Sequence, residues 1–156
     1  MFRRAWAGLE RTVGQEDLAV YNTVFSLGVP CKEQSRLGEA EEMFRCCLQG
    51  YENLSRPDSM ETLRTARSLG RLYHTQGKLE EAVAMMQRTF EGFEKSLGPF
   101  HTSTPKAGGV HLAALYTHGG KLAEAEKMYR LVLKGSKAIG LEHQFINEAA
   151  YALGKL

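Results

Sequence analysis

The chain has 156 residues and a formal net charge of +2 at pH 7, which is one domain's worth of polypeptide, long enough for a real core. An apolar fraction of 43% is that of a globular protein. So small a net charge gives no argument for nucleic acid or membrane surfaces as partners. No apolar run reaches the roughly eighteen residues a membrane span needs, the opening Met1-Phe2-Arg3-Arg4 stretch lacks a signal-peptide core, and four prolines without a low-complexity tract argue against disorder. Three cysteines, two of them the adjacent Cys46 and Cys47, make no disulfide framework and suit a reducing, cytoplasmic compartment.

In chain order, residues 1–13 read as a helix with Met1, Phe2, Ala5, Trp6 and Leu9 on its apolar side, and Gly14 opens a loop. A helix from about Asp17 to Glu33 carries Val20, Val24 and Leu27 on one side. Pro30 interrupts it, and because proline removes a hydrogen bond and crowds the carbonyl of Ser26, the helix is expected to kink or end early near Ser26 to Val29. Leu37 to Leu54 is its partner, with Ala40, Met43, Phe44, Cys47, Leu48 and Tyr51 as the apolar face. Adjacent cysteines point about 100° apart on a helix, which suits packing better than chelation.

Pro57 closes the next loop, and Asp58 or Ser59 is placed to cap the helix that follows. That helix has Ala66, Leu69, Gly70 and Tyr73 on one face. Gln76-Gly77-Lys78 breaks the pattern, Gly77 being able to take the positive φ of a helix end. A further helix starts at Leu79 with Ala82, Met86, Phe90 and Phe93 on one side. After the loop Gly98 to Thr104, Pro105 stands near a helix start, and Gly108-Gly109 should leave the first turns frayed or close-packed. His111 and His118 lie on one face of that helix; with no cysteine nearby they are surface or groove residues, not zinc ligands. Gly119-Gly120 leads into Lys121 to Ile139, with Leu122, Ala125, Met128, Tyr129, Val132 and Leu133, and Phe145 to Leu153 begins a last helix.

The helices repeat as pairs. Arg36-Leu37-Gly38-Glu39-Ala40 recurs as Lys78-Leu79-Glu80-Glu81-Ala82 and again as Lys121-Leu122-Ala123-Glu124-Ala125, at a period of about 42 residues. Leu27-Gly28, Leu69-Gly70 and Leu112-Ala113 recur at matching offsets. Each pair has an apolar stripe that only a neighbouring pair can cover, so the expected fold is an all-α solenoid. The divisions are 1–13 (second helix of a partial repeat), 17–55, 58–97 and 102–139 (full repeats) and 144–156 (first helix of a partial repeat), in one array. Its abrupt ends suggest a piece of a longer array, or ends covered by self-association.

The order Ala66-x-x-Leu69-Gly70-x-x-Tyr73, then Ala82 and Met86, resembles the tetratricopeptide repeat, as does Leu112-x-x-x-Tyr116, then Ala125 and Tyr129. The longer period and the trailing Phe93-Glu94-Lys95-Ser96-Leu97-Gly98 resemble the kinesin-light-chain-like subclass, particularly fungal arrays behind a nucleotide-binding switch domain of the NB-ARC type. The resemblance covers essentially the whole chain. It implies a right-handed superhelix whose first helices line a concave groove, and a protein-interaction scaffold.

On the second full repeat's first helix, Arg64, Arg67, Arg71 and His74 fall along one edge, away from the core residues. The resemblance therefore places them in the groove, with Asn22, Phe25 and Val29 on one side and Ala107, Val110, Ala114 and His118 on the other. A basic patch beside small and apolar residues suits an acidic peptide, since guanidinium groups grip carboxylates by two hydrogen bonds. The lysine-and-asparagine clamp that some family members use for a C-terminal carboxylate is not reproduced. The alternative is a structural spacer or self-association module, its terminal helices the interface, in a switch protein or cargo adaptor. None of G-x-x-x-x-G-K-[ST], G-x-S-x-G or H-E-x-x-H occurs. The expectation is thus a binding protein and not an enzyme, without catalytic residues, metal, cofactor, nucleic acid or membrane partner.

Overall fold

The computed structural model describes residues 18–54, 58–98, 109–138, 147 and 150–155. Six helices are named among them: α1 (Leu18–Glu33), α2 (Leu37–Leu54), α3 (Met60–Thr75), α4 (Leu79–Leu97), α5 (Val110–His118) and α6 (Leu122–Ala138). No strand occurs among the described residues. Each odd-numbered helix packs on the even-numbered helix that follows it, and α2 packs on α3 as α4 does on α5, so the pairs stack in line. The expected partial repeat at 1–13 lies outside the described residues.

The helix boundaries follow from local chemistry. Ser59 caps α3, its Oγ accepting from the backbone N–H of Thr62. Gly77 adopts φ 75° and Gly120 φ 71° at the equivalent turn of the next pair, left-handed values that end one helix and aim the chain into its partner. At the same turn in the first pair, Ser35 takes φ 60°.

One apolar core runs through the pairs. Val24, Phe44, Cys47 and Tyr51 of the first are continuous with Leu69, Leu72, Ala82, Met86 and Phe90 of the second and with Leu112 and Leu115 of the third. No pair encloses its own stripe, as the repeat requires. A second cluster joins Ala113, Ala125, Tyr129 and Val132, and Ala152 and Leu153 pack against it.

Four expectations need correction or completion. The first helix does not end early at Pro30: it runs to Glu33, the proline sitting in its last turn. There only one hydrogen bond is lost, and α1 stays seated on α2, with the Phe44 ring so near Gly28 that a Cβ there would stand 2.8 Å from it. Leu27 is not a core residue. It is 49% exposed, because the buried row of α1 is Val20, Tyr21, Val24, Gly28 and Cys31, and Leu27 stands about 100° from its neighbour Gly28 on the helix. Its counterpart Leu69 is buried, α3 packing on both α2 and α4. Leu122 is likewise 48% exposed. Gly109 is close-packed, a Cβ there meeting Val132 at 2.6 Å.

Candidate functional site

Two rows of helices give the array two unlike faces. The second helices α2 and α4 are tied across the repeat boundary by ion pairs. Lys78 Nζ lies 2.8 Å from Glu41 and Arg88 Nη1 2.6 Å from Glu52; within the second full repeat, Lys95 Nζ reaches Asp58 at 2.7 Å. Glu41 also accepts from Gln76 Nε2 at 2.9 Å. Burial pushes its carboxyl pKa up, but the hydrogen bonds from Lys78 and Gln76 and the charges of Lys78 and Arg45 outweigh it, and the net shift is downward.

The first helices make the other face, and its charges are unlike these. Arg64, Arg67 and Arg71 of α3 form no ion pair among the described residues. Between α3 and α1 they border a cleft of about 280 Å³, whose apolar side is Phe25, Val29 and Phe44 and which also takes in Lys32 and Glu33. A second cleft of about 260 Å³ adjoins it, sharing Phe25 and Arg64 and adding Asn22, Tyr51 and Glu61. Arg67 is half-buried. Its guanidinium pKa is lowered, first by burial and then by the charges of Arg71 and Arg64, and that of Lys32 by burial and then Arg71. Among the described residues the cleft is therefore net positive, with Phe25 on its apolar side packed over the buried Phe44, their ring centroids 5.4 Å apart.

The sequence-predicted groove residues divide accordingly. Phe25, Val29, Arg64, Arg67 and Arg71 meet around one cleft, and Asn22 joins the adjoining one. Asn22 is already engaged, its Oδ1 accepting from Tyr51 Oη at 2.6 Å. His74 is not beside that cleft; it faces α5, its Nε2 lying 3.3 Å from Nδ1 of His118. Val110 and Ala114 are half-buried on α5, and Ala107 lies outside the described residues. Sequence reasoning missed Lys32 and the His74–His118 contact. A lysine one turn beyond Val29 on the same helix was the available signal for the first. The second depends on how far each pair is offset from the next, which periodicity does not encode.

Cys47 is buried, its Sγ–H donating to the carbonyl of Tyr21 at 3.3 Å, and burial, then the charge of Cys46, pushes its thiol far up. That is the environment of a packing residue and not of a nucleophile. No group of three or more His, Cys, Asp or Glu side chains suited to a metal occurs among the described residues. No described helix is long and apolar enough to cross a membrane.

The family model described as "Tetratricopeptide repeat" matches residues 20–103, more than half the chain. The chain belongs to the tetratricopeptide repeat family. Solved tetratricopeptide arrays share its fold. Two crystal structures of a Podosopora anserina protein described as a kinesin light chain with nearly identical TPR-like repeats superpose with TM-scores of 0.82 and 0.76 at 20% and 21% identity. They cover 98% and 90% of this chain and 72% and 66% of theirs. The crystal structure of BtubC (BKLC) from P. vanneervenii gives a TM-score of 0.79 at 16% identity, over 89% of this chain. This tetratricopeptide array spans only 56% of that protein's length. Identities this low establish the fold, a right-handed solenoid of antiparallel helix pairs of the kinesin-light-chain-like kind. Among curated proteins, none matches the chain by sequence. Tetratricopeptide repeats mediate protein–protein interaction, and this chain is an interaction scaffold in that general sense.

Proposed function

We propose that the first-helix face is a docking groove for a peptide or protein segment rich in acidic and apolar side chains, and that the chain binds without catalysing. The observation that carries this reading is the contrast between the faces. The cations bridging α2 and α4 have carboxylate partners, whereas Arg64, Arg67 and Arg71 have none among the described residues and stand beside Phe25, Val29 and Phe44. Guanidinium forks held on a packed helix take carboxylates by two parallel hydrogen bonds, and the accessible surface of Phe25 and Val29 takes a neighbouring apolar side chain. Preformed helices lose little entropy on docking. His74, Asn22, Val110, Ala114, His118 and, on the sequence reading, Ala107 would extend the contact along the groove. Three free cysteines fit a cytoplasmic setting.

The test is an exchange of charge. Replacing Arg64, Arg67 and Arg71 together by Glu should abolish capture of an acidic, apolar-anchored peptide while the far-ultraviolet circular dichroism stays helical. Retained capture sinks the groove assignment.

A second reading has its own observation. Leu18 and Val29, about 20° apart around α1, are 42% and 39% exposed, an apolar edge that a second copy or further repeats of a longer switch or adaptor protein could cover. Light scattering separates the two readings, because a strict monomer disfavours self-association.

A further inference from the structure

The larger demand of the first-helix cleft is for charge, and it exceeds what one carboxylate supplies. Lys32 comes from α1, and Arg64, Arg67 and Arg71 come from α3. Arg67 has Arg64 one turn before it and Arg71 one turn after, and Lys32 feels Arg71 across the cleft. Against these four cations the same cleft holds one carboxylate, Glu33, and that group lies next to Lys32 in the chain. None of the four cations has an ion-pair partner among the described residues. Burial first, and then the neighbouring arginine charges, lower the proton affinity of the two most enclosed, Arg67 and Lys32.

A carboxylate offers one charge and two oxygens, which a single guanidinium fork satisfies. A phosphate monoester offers nearly twice the charge and three strong acceptor oxygens on a tetrahedral centre, so it can accept from Arg67, Arg71 and Lys32 together and bridge α1 to α3. Phe25 and Val29 form the accessible apolar side of the same cleft, above the buried Phe44 ring, and the carbon skeleton bearing the phosphate would rest there. We propose that this cleft receives a phosphorylated side chain of the docking peptide, the phosphate bridging Lys32 of α1 to Arg67 and Arg71 of α3. The proposal rests on the peptide-groove reading and narrows it: the partner docks when phosphorylated.

The experiment uses small probes on the full chain: phenyl phosphate, phenylacetate and inorganic phosphate, titrated while backbone amide signals are followed by NMR. Phenyl phosphate should shift the signals around Phe25, Lys32, Arg67 and Arg71 and bind about tenfold or more tightly than phenylacetate, which carries the same ring on a carboxylate. Inorganic phosphate should compete for the same signals. Arg67→Gln and Arg71→Gln should each weaken phenyl phosphate about tenfold with helicity intact, whereas Arg130→Gln, at an ion pair on α6, should leave it unchanged. Phenylacetate binding as tightly as phenyl phosphate overturns the phosphate assignment and leaves the acidic-peptide reading in place. Undiminished phenyl phosphate binding by both glutamine variants overturns the location of the site. Failure of the groove itself would show separately, as acidic-peptide capture that survives the triple charge reversal.

Discussion

The Tyr21 ring fills the space that a side chain at Gly50 would need: a Cβ there would stand 2.1 Å from the ring carbons. The next repeat makes the same contact with other residues, Leu63 lying 2.3 Å from a Cβ built on Gly92. In both repeats a large residue early in the first helix enters a notch late in the second.

Replacement by alanine should therefore run against helix propensity. In an open helical position Gly→Ala stabilises by about 1 kcal/mol. At Gly50 and Gly92 the added methyl collides with a ring and a branched side chain, and each change is expected to cost about 2 kcal/mol. Gly38 is the control, since nothing lies within 4 Å of a Cβ there, and Gly38→Ala should stabilise. Urea unfolding of the three variants is the measurement; a stabilised Gly50→Ala would show that the notch yields.

These notches show where the sequence was legible and where it was not. The bounds of α2, a cap at Asp58 or Ser59 and the turn at Gly77 follow from signals a few residues long; the bounds and the turn stand as read, and the cap falls to Ser59. The cleft residues on α3 were legible too, because Arg64, Arg67 and Arg71 share a helix face. What failed was what depends on neighbours across the stack. Leu27 has the sequence of a core position but stands off the row that α1 buries. Pro30 carries a helix-breaking signal, yet α1 runs on to Glu33 because the proline falls in its last turn. Glycine recurs at positions 50, 92 and 135, at the period of the repeat, yet only the contact with Tyr21 or Leu63 gives the first two a meaning.

Glu41 anchors the joint between the first two full repeats. Its carboxyl pKa is depressed in the folded chain, so its contribution is present above the ordinary carboxylate pKa and is lost as pH falls through the folded value. Glu41→Gln should cost about 1 kcal/mol at neutral pH, the partly exposed Lys78 limiting the figure. The gap between variant and parent should close as the solution is acidified below the usual carboxylate range. A gap unchanged across that range would mean that shape and not charge holds the joint.

Tyr51 sets the alkaline limit. It is 2% exposed, and its phenol is raised from 10.0 to about 12, by burial first and then by Cys47 and Glu61, with Arg64 opposing. The unfolded chain loses this proton first, so the stability Tyr51 contributes is complete below pH 10.0 and declines as pH rises toward about 12. Tyr51→Phe should cost about 1 kcal/mol at neutral pH, through the lost hydrogen bond to Asn22, and should flatten that alkaline decline. Denaturant midpoints at a series of alkaline pH values would show it.

Arg67 should prove to be held against stability. It stands one helical turn from Arg64 and one from Arg71, and like charges at that spacing cost about 0.2–0.5 kcal/mol per pair. Methionine keeps the aliphatic stem and the helix propensity while removing the charge. Arg67→Met is therefore expected to raise stability by about 0.5–1 kcal/mol, and Tm by about 1–4 °C for a chain of this size. The parent should gain stability with sodium chloride as its repulsion is screened, and the variant should gain less. Calorimetry at low and high salt reads both effects. A destabilised variant with unchanged salt dependence would mean that the arginines already have compensating charge, which would remove the ground for assigning them to a ligand.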